Sequence, residues 1–315
     1  MTKFIKDSLK FILFLLIFYP IMIIIWGEFA PSIAKKNLNF KMGSYGSTNI
    51  RFEELKNFQN IDVLFLGSSH SYRGFDPRIF SNYGFSSFNL GTSGQSFLQT
   101  EILVKRFVNK LNPKLIIIEV YPGTFVNDGI ESSLDIIANI PIDWNTVKLT
   151  FSQNHLKVYN SLIFSLYKQN LFGIEKVTIP VNSDDQYISG GFNEKKVEHW
   201  KSNQKIDKSN WKLKKVQVDA FLRMLEFLKI SKLPFVLVQA PITNALNNSI
   251  TNNLIFDSLI SKNGQYYNFN KIVKLNDSLH FYDNNHLNQN GVEIFNKSLI
   301  ELLLKKKILK KYINK

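Results

Sequence analysis

No cysteine occurs anywhere in the 315 residues. Disulfide bonds, thiolate nucleophiles and cysteine-held zinc are therefore excluded, while the redox compartment stays open. Histidine is scarce as well, with five in the chain. His70, His155, His199 and His280 form no cluster with metal-ligand spacing, so neither metal nor cofactor is expected. Acidic side chains are the minority, 25 against 39 Lys and Arg, which leaves a net charge of +14. That excess favours anionic neighbours such as lipid headgroups or acidic glycans; a generally lysine-rich proteome explains it equally well. Nucleic acid is not expected as a partner, because no helix-turn-helix, zinc-finger or RNA-binding pattern accompanies the charge. Internal repeats are also missing. What is present, 44% hydrophobic and 14% aromatic residues, suits a chain with a real core and excludes a disordered one.

The longest apolar run comes first. Lys3, Lys6 and Lys10 precede Phe11 to Trp26, a stretch without charge that Pro20 alone interrupts. With its flanks the run approaches the ~20 residues that cross a bilayer. Basic residues ahead of it place the N-terminus in the cytoplasm and the body outside, although Lys35, Lys36 and Lys41 weaken the asymmetry. A signal peptide cleaved after Ser32-Ile33-Ala34 is the competing reading. The run is long for such a peptide, so an uncleaved single-pass anchor over 1–30 is preferred, followed by a polar connector over 31–60.

From residue 61 the pattern becomes that of an α/β protein. Ile61–Leu66, Ser86–Leu90, Leu115–Val120 and Phe235–Ala240 read as buried strands, and a fifth is expected near Asn270–Leu275. Helical spacing covers Phe97–Leu111, Lys214–Ile230, Asn253–Ser261 and Gln289 to about Lys310, with a short helix opening at Pro77. Strand, helix and strand of these lengths make a βαβ unit. The expected fold is a three-layer α/β/α sandwich around a parallel sheet of about five strands, behind one membrane helix. Between about 127 and 213 the rhythm is lost. This aromatic-rich stretch, partly helical near Val158–Tyr167, reads as an insertion placed as a lid over the strand ends.

Two stretches carry chemistry. The first strand stops at Gly67 and is followed by Ser68 and Ser69, at the strand end where open α/β sheets bind ligands. A serine becomes a nucleophile once a base takes its proton, and the base works best when a third group fixes its tautomer. Far downstream, Asp283 and His286 stand three residues apart, a spacing that lets a turn hold the carboxylate against one imidazole nitrogen. Ser69 is the preferred nucleophile over Ser68, and His286 the preferred base over His280. An α/β-hydrolase is disfavoured, since no Gly-x-Ser-x-Gly elbow is present.

Gly67-Ser68-Ser69, Asn89-Leu-Gly-Thr-Ser-Gly94 and Asp283-x-x-His286-Leu287, in this order, resemble the SGNH (GDSL-like) hydrolase superfamily. Among its members they are most similar to membrane-anchored ones tied to O-acyl transfer on cell-surface polymers, such as the teichoic-acid D-alanyl transfer protein and the alginate O-acetylation proteins. The resemblance covers about 60–125 and 234–300 and leaves the insertion out. It implies Ser69 as nucleophile, His286 as base, Asp283 as its orienter, and the amides of Ser69 and Gly94 as an oxyanion hole. The chain departs from the pattern after Glu119-Val120: Tyr121-Pro-Gly123-Thr124 replaces the usual Gly-x-Asn-Asp, and the oxyanion asparagine is missing. Asn89 and Asn127 are nearby in sequence as substitutes.

The expected function is that of a membrane-anchored, extracytoplasmic serine esterase or O-acyltransferase on a surface glycan or glycolipid, with His70 and Arg73 as candidate substrate contacts. An acylated polysaccharide or glycolipid, membrane lipid and a membrane-bound O-acyltransferase are the implied partners. A catalytically idle scaffold of a surface-polymer complex and a secreted free esterase are the alternatives.

Overall fold

The computed structural model describes residues 2–41, 46–174, 185–201 and 206–313. Its centre is a five-stranded parallel sheet, made of β1 (Val63–Leu66), β2 (Ser87–Asn89), β3 (Leu115–Glu119), β6 (Phe235–Gln239) and β7 (Tyr266–Asn268). The spatial order is β2-β1-β3-β6-β7, with Val63 beside both Ser87 and Leu115, Ile116 beside Phe235, and Leu237 beside Tyr266. The hairpin β4 (Asp185–Ile188) and β5 (Phe192–Lys195) stands apart as a second, antiparallel sheet.

Sixteen α-helices and two short 3-10 helices, Ser32–Ala34 and Leu55–Asn57, accompany the strands among the described residues. Before the third strand come α1 (Thr2–Phe29), α2 (Thr48–Glu54), α3 (Ser69–Tyr72), α4 (Pro77–Asn82) and α5 (Phe97–Leu111). Then follow α6 (Pro122–Val126), α7 (Ile130–Asn139), α8 (Trp144–Gln153), α9 (Leu156–Phe172) and α10 (Lys215–Ile230). The last are α11 (Asn244–Ser249), α12 (Asn253–Ser261), α13 (Phe269–Ile272), α14 (Asp277–His280), α15 (Gln289–Lys305) and α16 (Ile308–Tyr312).

The near-continuous apolar runs of β1, β3 and β6 are explained by burial on both sides. Successive side chains of a strand point to opposite faces. Leu64, Leu66, Ile116 and Ile118 pack on one side with Phe97, Val104, Phe221 and Leu225 of α5 and α10. Val63, Phe65, Ile117 and Val238 pack on the other with Phe80, Phe295 and Leu299 of α4 and α15. Each such side chain contributes roughly 1.5–3 kcal/mol by leaving water. The expected α/β/α layering is thereby realised.

Three expectations are corrected. The last strand lies at β7, not near Asn270–Leu275: Asn268 caps the next residues into α13, its side chain accepting from the Asn270 N–H. The final helix stops at Lys305 and restarts as α16, because Lys307 takes a left-handed conformation with φ 60°. Part of the segment read as polar connector is helical and buried, with Arg51, Phe52 and Leu55 in the interior.

The order β2-β1-β3 sets the place of a site. From β1 the chain moves outward to β2 and then returns to the other side of β1 as β3, so the carboxyl ends of β1 and β3 flank the topological switch point where such sheets hold ligands.

Candidate active site

Gly67 ends β1 with φ 147°, and Ser68 caps the short helix α3, its Oγ 3.4 Å from the His70 N–H. Ser69 is thus the first residue of a helix, where backbone amides lack intrahelical partners. Its N–H donates to no group among the described residues, and neither does that of Gly94. From the far end of the chain, residues 281–287 form a loop pinched by a Phe281–Leu287 bridge and by the Tyr282 N–H donating to the His286 carbonyl at 3.2 Å. Thr243, just past β6, holds this loop down: its N–H and Oγ1 both donate to the Asn284 carbonyl.

The three residues expected to act together do meet. His286 Nε2 lies 2.8 Å from Ser69 Oγ, and His286 Nδ1 lies 2.8 Å from Asp283 Oδ2. Asp283 Oδ1 accepts from the N–H groups of Asn285 and His286 at 2.8 and 2.7 Å, which fixes the carboxylate before it meets the ring. Burial pushes the Asp283 carboxyl up, but the hydrogen bond and charge of His286 and these two amides overcome it and hold the group below its ordinary value. It is an anion beside the imidazole. His280, the rival base, is instead spent on the Asn276 N–H, which donates to its Nδ1 at 2.8 Å.

The other candidates are placed less simply. His70 is 4% exposed and stacks on Tyr121, ring centroids 3.9 Å apart, and on His286 at 4.8 Å. Burial lowers its basicity well below the ordinary value, and His286 lowers it further. A neutral ring wedged behind the base, with little surface, is a support and not the substrate contact expected from sequence. Arg73 is likewise committed, making a two-pronged pair with Asp185 at 2.9 and 2.6 Å. Of the oxyanion substitutes, Asn89 is used by Ser71 and the Gly91 N–H, and Asn127 donates to the Gly94 carbonyl at 2.9 Å. Both side chains shape the backbone. Asn127 in particular fixes Gly94, which has φ 59°.

Sequence reasoning missed several participants. Tyr282 stacks on His286, nearly parallel with ring centroids 5.5 Å apart, and its place next to Asp283 was the one available signal. Tyr121 carries the aromatic wall on to Trp211, 5.5 Å away. Asp185 lies in the insertion, where no periodicity marked it. The segment read as an insertion divides. Its hairpin reaches the sheet, the Asn89 N–H donating to the Gly190 carbonyl at 2.9 Å, and so forms one rim of the site. Its helices α7–α9 pack instead around α5 and α1. A cavity of about 690 Å³ lined by Leu98, Trp144 and Phe151 belongs to that remote face and includes no residue of the Ser69–His286–Asp283 relay. No group of residues able to hold a metal ion occurs among the described residues.

Glu119 sits behind the serine turn, fully buried; a Cβ on Gly67 would lie 2.8 Å from its own Cβ. Its carboxyl oxygens have no hydrogen-bond partner at ordinary distance among the described residues. Burial pushes the group up to about 8, the nearby amides of Tyr121 and Ala240 offsetting only part. The folded chain therefore binds a proton that the unfolded chain has released above its ordinary 4.5, so stability falls as pH rises from there through about 8. Glu119→Gln is expected to flatten that decline, seen as a smaller loss of Tm between about pH 5 and about pH 9. Asp135, raised by burial to about 7, acts with the same sign and leaves a residual slope. Equal losses in wild type and variant would remove Glu119 as the cause.

No protein-family model matches the chain, and no curated protein does. Among solved structures it is similar to a proposed acylhydrolase of Bacteroides fragilis, 12% identical, covering 81% of this chain and 94% of that one with a TM-score of 0.41. A GDSL-like lipase of Bacteroides thetaiotaomicron is also 12% identical, with 83% and 98% covered and a TM-score of 0.40. Likeness at that level assigns no activity; the side chains have to.

Proposed function

We propose that the chain is a membrane-anchored serine esterase or O-acyltransferase acting on acyl groups of an extracytoplasmic glycan or glycolipid. One observation carries the reading: the unbroken relay from Asp283 through His286 to Ser69, with both links at 2.8 Å. Ser69 Oγ attacks the ester carbonyl while His286 Nε2 takes its proton, and Asp283 keeps the opposite nitrogen protonated and stabilises the imidazolium. The tetrahedral oxyanion rests on the Ser69 and Gly94 amides. The proton returns through His286 to the leaving alcohol, and water or a sugar hydroxyl then takes the acyl group from Ser69. Residues 1–30 are the anchor in this reading and 61–315 the catalytic body. A membrane-bound O-acyltransferase is the partner proposed to deliver the acyl group.

The scaffold reading keeps one specific support. Asn89 and Asn127, the two substitutes the sequence offers, are both occupied by backbone, so neither stands in for the missing oxyanion donor. A fluorophosphonate probe separates the two. Full-length protein in detergent is expected to be modified at Ser69, with no modification in Ser69→Ala. A folded wild type that stays unlabelled would leave the scaffold.

A further inference from the structure

The apolar helix α1 does not stop where the folded body begins. Its second half is packed along α9. Tyr19 Oη donates to Asn160 Oδ1 at 2.5 Å, Ile23 is buried with Phe164 and Leu38, and Glu28 pairs with Lys168 at 2.6 Å. Both residue numbers rise together along this seam, so the two helices run parallel and the first turn of α9 points toward the start of α1. The loop after the anchor folds back to the same level: Asn160 donates to the Asn37 carbonyl, and Ser161 bonds both the N–H and the carbonyl of Asn39. Polar groups of α9 and of this loop therefore meet α1 along one side at Tyr19, while Ile21, Met22, Ile25 and Phe29 stay exposed.

Below Tyr19 alone α1 is too short to cross a bilayer, so its exposed apolar side up to Phe29 has to take part in the span. From Lys10 to Tyr19 the helix rises only about 14 Å, and from Lys3 about 24 Å, whereas a bilayer's hydrocarbon is about 30 Å thick. Lys6 and Lys10 can reach back to the inner surface along their own stems. A span still too short thins the bilayer or draws its flanks inward. The part of the body that packs at the level of Tyr19 is thus drawn into the outer leaflet.

Its underside is built for that place. Leu156 lies one turn before Asn160, on the face of α9 that meets α1, and is 53% exposed. Phe151, at the end of α8, is 65% exposed and lies against Tyr159, ring centroids 5.5 Å apart. Lys157, next to Leu156 in sequence, and Lys36 line a groove of about 430 Å³ that runs up to Gly27, whose carbonyl accepts from Lys35 Nζ. Large apolar side chains flanked by lysines match the boundary between acyl chains and anionic headgroups.

We propose that Phe151 and Leu156 seat the folded body in the outer leaflet of the bilayer that α1 crosses, with Lys36 and Lys157 against anionic headgroups. The proposal rests on the anchor reading above. Its occupant is that bilayer, which is continuous with the lipid-facing side of α1.

The absence of cysteine makes a direct test available. Single cysteines at Phe151, Leu156, Phe14 and Leu254 are labelled with NBD in full-length protein, reconstituted into vesicles of phosphatidylcholine and phosphatidylglycerol. Leu254, 78% exposed on α12 near the β7 edge, is the aqueous reference. The labels at Phe151→Cys and Leu156→Cys are expected to emit to the blue of Leu254→Cys and to be quenched several-fold more by nitroxide-bearing lipids. If only Phe14→Cys is quenched, the anchor spans but the body stands clear, and the proposal is wrong. If Phe14→Cys is not quenched either, the anchor reading has failed and takes the proposal with it. A blue shift at Phe151→Cys without lipid quenching would mean a protein partner covers the surface, which also overturns it.

Discussion

Alanine at Ser69 or at His286 is expected to lower ester turnover by about 10⁴-fold or more, while Tm moves by no more than about 2 °C. The effects should not add, since each substitution alone disables the same proton transfer. Asp283→Asn is the subtler case. Its retained Oδ1 can still accept from the Asn285 and His286 amides, so the loop keeps its shape. The group facing Nδ1 changes from acceptor to donor, however, and the ring is turned to the wrong tautomer. In a buried triad that costs about 10⁴ in kcat. The Asp283 side chain is 39% exposed, so water can partly replace it, and a loss of about 10²–10³ is expected. Hydrolysis of p-nitrophenyl acetate and thermal melts of the same samples measure both quantities. A Ser69→Ala protein within tenfold of wild type would remove serine catalysis from the molecule.

The second large effect is predicted at a residue without a side chain. Gly67→Ala places a methyl 2.8 Å from Glu119 Cβ and 3.0 Å from Ser71 Cβ, at a backbone φ of 147° that other residues rarely adopt. Neither neighbour is the far end of a flexible chain, so the backbone has to give. A loss of about 2–4 kcal/mol in urea unfolding is expected. Fluorophosphonate labelling should fall even below the unfolding range, because the displaced segment is the one that aims Ser69. Gly84→Ala is the matched control. It has φ 82° but nothing within 4 Å, so only backbone strain of about 1 kcal/mol remains. Equal costs at the two glycines would show that the space behind the serine turn is looser than described.

The contrast between those glycines also shows what a sequence can reveal. The inner strands were legible because burial on both faces demands uninterrupted apolar runs, and Ile116–Ile118 offers no other reading. β7 was misplaced because a three-residue edge strand, half-buried throughout, leaves no periodic signal. The relay was legible because turn geometry confines Asp283 and His286 to one short loop. The supports around it were not. His70 and Tyr121 approach each other through tertiary packing across β1 and β3, and Asp185 reaches Arg73 over 112 positions of sequence. The grip of α9 on α1 was hidden for another reason. The polar atoms that make it, on Tyr19 and Asn160, sit within two helices whose patterns each suffice alone.

The outer margins of the sheet also limit how copies of this chain can associate. β2 and β7, the two marginal strands, are three residues each, and the hairpin takes up the Asn89 N–H on the β2 side. Unpaired margins are what let neighbouring molecules zip into fibres, and short, covered ones deny them a template. Copies of this chain can therefore crowd together without growing one continuous sheet.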